Sequence, residues 1–284
     1  MNEEDAATTS GYTMLYKKRK HILRWIKIGL LVYIVIGFAL YYLQDKILLH
    51  PVAHPPGYNY NFNVPINEVD ISINKNENLN IVQFLPKDSL RKGVVLYFHG
   101  NKTNINHYAR FADNFTKFGY EVWMPDYPGF GKTTGVLTEK KLYDQALLVY
   151  KLAKTKFNAE NILIYGRSFG TGIASKLAAD VDCSRLILET PYYSIPALFS
   201  YYAPIYPTSL MSKFKMPVNE FVQEVTVPIT IFHGDADEII PYSVTKKLKN
   251  FLKPTDEFIT IKNGKHNNLN DNKLFHQKLD SLLQ

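Results

Sequence analysis

Ile162-Leu163-Ile164-Tyr165-Gly166-Arg167-Ser168-Phe169-Gly170-Thr171-Gly172-Ile173-Ala174 is the stretch on which the fold turns. Its first four residues form a short, continuous apolar run, the pattern of a strand covered on both faces. From the turn onward the pattern is helical, over residues 169–180. Between strand and helix, Gly166 and Gly170 bracket Ser168. A turn this tight demands small residues there, because side chains would strike neighbouring backbone. Ser168 then stands at a helix N-terminus with its Oγ exposed, where the partial positive charge of the helix end stabilises developing negative charge. The pentapeptide recurs by chance in many chains. The strand–turn–helix setting is what separates it from a serine that merely caps a helix.

Outward from this turn, apolar and β-branched runs recur at residues 69–73, 81–85, 94–98, 121–124, 186–188, 229–232 and 258–261. The first two alternate and predict an antiparallel edge hairpin; the others read as strands buried on both faces. Helical patterns fall at 106–118, 140–156, 169–180 and 243–252. Strands alternating with helices predict an α/β fold, a mostly parallel, doubly wound sheet. There is no internal repeat. Residues 191–226, dense in Tyr, Phe, Pro and Met, separate two strands without supplying one. They are expected to form a cap outside the carboxyl ends of the strands, where such sheets bind ligands. Some of its aromatics are expected to line a substrate, the rest to pack.

A serine hydroxyl is a weak nucleophile until a base takes its proton, and the base needs a partner that fixes its tautomer. On a strand–turn–helix serine the acid and then the histidine follow in chain order. His266, after the last strand and before a final helix, is the candidate base; His276 on that helix reads as a surface residue. Asp235, Asp237, Glu238 and Glu189 all lie near strand ends. Asp237 is the preferred acid, because Gly234 and Asp235 begin the turn that carries it outward while Asp235 caps that turn. Two N–H donors must face the oxyanion: Phe169, directly after the serine, and Asn101, in the His99-Gly100-Asn101 loop after a strand. His99 reads as loop architecture and His233 as a residue packed at a buried strand end.

The chain has 284 residues, 46% of them hydrophobic, and a formal charge of +7. Much of that charge is Lys17, Lys18, Arg19, Lys20, Arg24 and Lys27, just ahead of or at the edge of the apolar run at residues 25–43. The run is close to the ~20 residues that span hydrocarbon, with Trp25, Tyr41 and Tyr42 at its ends. It predicts a single-pass anchor over residues 25–43, preceded by a cytoplasmic tail at 1–24; a cleaved signal or a core helix fits less well. The positive-inside bias places the chain beyond the anchor on the non-cytoplasmic side, periplasmic in a bacterium. A linker at 44–68, with His50 and His54 at its surface, then leads to one domain at 69–284. Acids are interspersed with the remaining bases, so a nucleic-acid partner is not expected. The single cysteine, Cys183, excludes an intrachain disulfide and reads as a buried hydrophobe.

These motifs resemble the Bem46-like, ABHD-type branch of the α/β-hydrolase superfamily of serine hydrolases. The resemblance rests on Gln44-Asp45-Lys46-Ile47 leading to His50-Pro51, FHGN at 98–101, DYPGFGK at 126–132, YGRSFGTG at 165–172, ETP at 189–191, HGDADEIIP at 233–241 and GKHN at 264–267. It implies an α/β-hydrolase fold with a Ser168–Asp237–His266 triad, and supports Asp237 over Asp235. Pro128, where the family commonly has Arg, and Lys102-Thr103, in place of a small pair, depart from it beside the oxyanion loop. The expected function is a membrane-anchored serine hydrolase cleaving a carboxylic ester or thioester, with a small-molecule or lipid-like acyl substrate. A peptidase, amidase or acyltransferase on the same triad and a non-catalytic binding domain are the alternatives. No cofactor or metal is expected, and oligomeric state leaves no signal in the sequence.

Overall fold

In the computed structural model, which describes residues 3–55, 57–87 and 91–284, alternation along the strands sets the architecture. In β4 (Gly93–Phe98), Val94, Leu96 and Phe98 face one core layer while Val95 and Tyr97 face the other. In β7 (Ile162–Arg167), Ile162 and Ile164 oppose Leu163 and Tyr165 in the same way. Side chains on successive residues point to opposite faces, so a continuous apolar run is what a sheet with two covered faces requires.

The chain divides into two units, one reaching Ile47 and the other Leu48–Gln284. The first is a helix, α1 (Glu3–Leu48), of which Tyr16–Leu48 is long and apolar enough to cross a membrane. Its apolar side chains, Trp25, Leu30, Leu31 and Val35 among them, are exposed. Residues 1 and 2 of the expected tail lie outside the described residues.

The second unit opens with the short β1 (His50–Pro51), then the hairpin β2 (Ile66–Asn74) and β3 (Glu77–Phe84). After β4 come β5 (Lys102–Thr103), α2 (Ile105–Tyr108), α3 (Asp113–Thr116), β6 (Tyr120–Pro125) and α4 (Glu139–Lys154). Past β7 lie α5 (Gly170–Asp180), β8 (Arg185–Glu189), α6 (Ile195–Tyr202), α7 (Thr208–Met211), α8 (Val218–Glu224) and β9 (Ile229–Gly234). α9 (Tyr242–Thr245), β10 (Glu257–Ile261) and α10 (Lys273–Leu283) finish the chain. The main sheet has the order β10-β9-β8-β7-β4-β6-β3-β2, parallel from β10 to β6 and antiparallel over β6-β3-β2. The edge hairpin is where the alternating pattern placed it.

Two expected helices are broken. Residues 106–118 form α2, a 3-10 turn at Ala109–Phe111, and α3. The 243–252 segment is α9 followed by a 3-10 turn at Lys246–Phe251. The buried side chains are Ile105, Tyr108, Phe111, Ala112 and Phe115 in the first and Val244, Thr245 and Leu248 in the second. Short 3-10 turns commonly join or end such brief helical pieces. The segment 191–226 is also more than a cap: Val218 and Val222 are buried, and α8 packs on α5 as part of the helix layer. The expected linker belongs to the compact unit from Leu48 onward, with Tyr60, Phe62 and Val64 packed on the core.

Candidate active site

β7 runs to Arg167 and α5 begins at Gly170, leaving Ser168 and Phe169 to make the turn. Ser168 has φ 51°, a left-handed conformation that a non-glycine residue keeps only when its surroundings hold it there. They do so through hydrogen bonds. The Ser168 N–H donates to the Glu189 carbonyl at 2.8 Å, and the Ser168 carbonyl accepts the Thr171 N–H at 2.9 Å and its hydroxyl at 2.6 Å. The glycines are obligatory for steric reasons. A Cβ on Gly170 would stand 2.1 Å from the Phe98 carbonyl oxygen, and one on Gly166 would stand 2.7 Å from Thr171 Cα.

His266 reaches this serine because two loops from parallel neighbours β9 and β10 pack glycine on glycine. A Cβ on Gly234 would lie 2.0 Å from the Gly264 carbonyl oxygen, and the Ala236 N–H donates to that same oxygen at 3.0 Å. The result is a hydrogen-bonded line. His266 Nε2 lies 2.9 Å from Ser168 Oγ, and its Nδ1 lies 2.8 Å from Asp237 Oδ2. The carboxylate only accepts, so Nδ1 carries the proton and Nε2 faces the serine hydroxyl as an acceptor. Asp237 Oδ1 accepts the N–H groups of Ile239 at 2.9 Å and Ile240 at 2.8 Å. Burial pushes the Asp237 carboxyl up, but His266, the Ile240 amide and His233 together bring it below its ordinary value. All three residues are buried, and Ser168 is only 8% exposed.

The other acids have separate duties. Asp235 Oδ1 accepts the Asn263 N–H at 2.6 Å, bracing the facing turn. Glu189 lies beneath the serine turn and Glu238 beside the His266 backbone, its Oε2 3.5 Å from the His266 nitrogen. Near the serine, a Cβ added to Gly100 would come within 3.6 Å of Ser168 Cβ, so the loop carrying Asn101 closes over Ser168. Neither the Asn101 N–H nor the Phe169 N–H has a partner among the described residues. Lys102-Thr103 forms β5, with Thr103 at φ 58°. Pro128 is buried.

The remaining sequence candidates sort by contact. His99 is buried between Asp126 Oδ1 at 3.1 Å and the Gly100 carbonyl at 2.7 Å. His233 packs at the end of β9 against Thr245 Oγ1 at 3.0 Å, with burial holding its pKa below the ordinary value. His50 is exposed, whereas His54 stacks on Tyr58 with ring centroids 3.6 Å apart and is half-buried rather than fully at the surface. His276 is half-buried on α10, its Nε2 2.6 Å from the Asn270 carbonyl oxygen. Cys183 is free and buried, its thiol pushed up to about 12 by burial. Among the described residues, no group of three or more His, Cys, Asp or Glu is placed to hold a metal ion.

Comparison with known proteins places this arrangement. Residues 90–216 match the family described as serine aminopeptidase, S33. ABHD17C of Xenopus tropicalis is 28% identical over 193 residues, covering 67% of this chain and 60% of that one. The lysophosphatidylserine lipase ABHD12 of Danio rerio is 28% identical over 180 residues, covering 55% of this chain and 46% of that one. Among solved structures, an esterase of Pyrococcus furiosus superimposes with a TM-score of 0.65 at 17% identity, over 83% of this chain and 96% of its own. Est1E of Butyrivibrio proteoclasticus superimposes with a TM-score of 0.61 at 21% identity, over 76% and 97%. The chain has the α/β-hydrolase fold and is similar in sequence to ABHD-type proteins. It spans 60% or less of the length of the curated relatives named here.

One buried cluster was not anticipated from the sequence. Glu189 accepts the Tyr165 hydroxyl at 2.5 Å and the Asn270 amide at 3.0 Å, and its carboxylate lies 3.3 Å from Arg167 Nη1. The Arg167 guanidinium lies 4.2 Å over the Phe111 ring. Burial lowers the Arg167 pKa, but Glu189, Tyr97, Tyr165 and Tyr108 together raise it above its ordinary value. Arg167 precedes the serine and Glu189 ends the neighbouring strand, in register with it. An arginine and a glutamate each beside an apolar strand run were the available signal.

Proposed function

We propose that the domain hydrolyses a carboxylic ester or thioester through an acyl-enzyme on Ser168. The hydrogen-bonded line from Asp237 through His266 to Ser168, on a turn held at positive φ, carries this reading. Ser168 Oγ attacks the acyl carbon as His266 Nε2 takes its proton, and the carbonyl π pair moves onto oxygen. The N–H groups of Phe169 and Asn101 receive that oxyanion; losing one such donor typically costs ~10²–10³ in rate. Collapse expels the alcohol or thiol, protonated by His266. Water then enters with His266 as base, and the acid and free serine are released. Asp237 stays ionised throughout and holds the imidazole in its working tautomer.

A lipid-like acyl substrate fits the exposed Tyr201, Tyr202, Ile205 and Leu210 between and on α6 and α7, and the lysophosphatidylserine lipase among the relatives. In this reading α1 anchors the chain by a single pass, with the basic end cytoplasmic and the hydrolase domain on the other side. Protection of the domain from protease in sealed, right-side-out vesicles would contradict that orientation. Amide cleavage is the second reading, favoured by the aminopeptidase description of the matched family.

The test is direct. Detergent-solubilised chain should take a fluorophosphonate label and turn over p-nitrophenyl esters, while Ser168→Ala loses the label and about 10⁶ in kcat with its fold intact. An unlabelled wild type beside a labelled control esterase sinks the enzymatic reading. Faster turnover of aminoacyl amides than of esters selects the second reading.

A further inference from the structure

The motif that leaves α1, residues 48–52, has no role in the triad, yet it lies along the loop that closes over Ser168. The His50 N–H donates to the Asn101 carbonyl at 2.9 Å, and the Val52 N–H donates to the Thr103 carbonyl at 3.0 Å. The Asn101 side-chain amide donates to the Leu48 carbonyl, and the Asn104 amide donates to the Val52 carbonyl at 2.8 Å. Residues 101, 103 and 104 are therefore each held by an atom of this strand. On its other side the strand is fixed by the turn that follows β6. Gly131 N–H donates to the Val52 carbonyl at 3.0 Å and the His54 N–H donates to the Gly131 carbonyl at 2.7 Å. Gly131 itself sits at φ 51°.

We propose that residues 48–52 form a positioning strap that sets the oxyanion loop over Ser168. The inference rests on the reading of Ser168 as a nucleophile. An oxyanion donor works only if its N–H is aimed before the reaction begins. The loop cannot aim itself: Thr103 is at φ 58°, an unfavourable conformation for a β-branched residue, and only Gly100 in the loop is free of a side chain. The strap takes up the Asn101 carbonyl and side chain. The preceding peptide plane, which carries the Asn101 N–H, is held through the Gly100 carbonyl by His99 Nδ1. With both planes fixed, the N–H is left for the substrate. The strap begins at Leu48, which is buried in the compact unit and so pins the strap's first residue as well as its last.

The test uses the full chain in detergent with a p-nitrophenyl ester, and a trifluoromethyl ketone as inhibitor. The ketone adds to Ser168 Oγ; the hydroxyl proton passes to His266 and the hemiketal oxyanion enters the same pair of N–H groups. Asn101→Ala keeps the backbone N–H and removes the tie to Leu48, while His50→Pro removes the donor to Asn101. Small misplacements of reacting groups cost up to ~10²-fold, so both variants should lose about 10–100-fold in kcat. Ketone affinity should fall by the same factor, because a transition-state analogue reports the same contacts. KM and melting temperature should hold. His50→Ala, which alters only an exposed side chain and keeps the N–H, should behave as wild type. If His50→Pro fails to fold, Asn101→Ala decides alone. Unchanged kcat in Asn101→Ala, or a loss confined to KM or thermal stability with ketone affinity intact, overturns the strap. A wild type that neither turns over ester nor binds ketone instead overturns the hydrolase reading, and the strap falls with it.

Discussion

The serine turn at 166–170 and the loop at 100–104 face each other across Ser168 and differ in what constrains them. The turn adds steric contact at its glycines to the hydrogen bonds at Ser168: Gly170 lies against the Phe98 and His99 carbonyls, and Gly166 against the first turn of α5. The loop is held by hydrogen bonds from residues about fifty positions earlier in the chain. Repulsion at contact rises steeply, so the turn admits only glycine at two fixed positions and announces itself in any sequence. Backbone-to-backbone hydrogen bonds tolerate many residues, so the loop announces itself less strongly, through Asn101 and Asn104, whose side chains make its other ties. Damage to the turn should therefore appear as lost folding, and damage to the loop as lost chemistry.

The largest effect expected lies with the acid behind His266. Asp237→Asn leaves His266 with the wrong tautomer and should lower kcat by about 10⁴ with little change in melting temperature. Asp235→Asn, which only loosens the bond to Asn263, should leave kcat within a few-fold; the reverse ranking would reassign the acid. Gly170→Ala comes next. Its Cβ meets backbone that has no flexible end to swing away, so about 3 kcal/mol of stability should be lost, read as a lower urea midpoint. A stable, active Gly170→Ala would break the steric account of the turn.

The smallest effect concerns pH. His233 is held neutral by burial, so the unfolded chain binds a proton near the ordinary 6.5 while the folded chain resists it. Its contribution is complete above that pH and declines as pH falls below it, by at most about 1.4 kcal/mol per pH unit. Asp237, held below the ordinary 3.8, contributes above that value and loses its contribution as pH falls through its folded pKa. Melting curves of wild type and His233→Gln between pH 8 and 5 should diverge below about 6.5. Parallel curves would show that His233 does not govern this range.

Much of the site was legible because its local geometry is demanding. Gly166, Ser168, Gly170 and His266 sit in patterns set by strand ends and steric contact, and Asp237 followed from chain order and family resemblance. Residues 106–118 and 243–252 read as single helices because apolar content does not distinguish an α-helix from short helical pieces joined to 3-10 turns. The Glu189–Arg167–Tyr165–Asn270 cluster was invisible because its members are scattered between residues 165 and 270. They meet only when β7, β8 and the segment before α10 come together.

The sequence by itself determined the parallel α/β sheet and the apolar helix at its start, since each depends on periodicity, and it marked the serine turn by two glycines set in a strand–turn–helix pattern. Tertiary structure alone decided that Gly234 would lie on Gly264 and so deliver His266 to Ser168. It alone laid residues 48–52 along the loop of Asn101. Both are meetings of distant segments, fixed by the order in which strands pair, and no local pattern encodes that order.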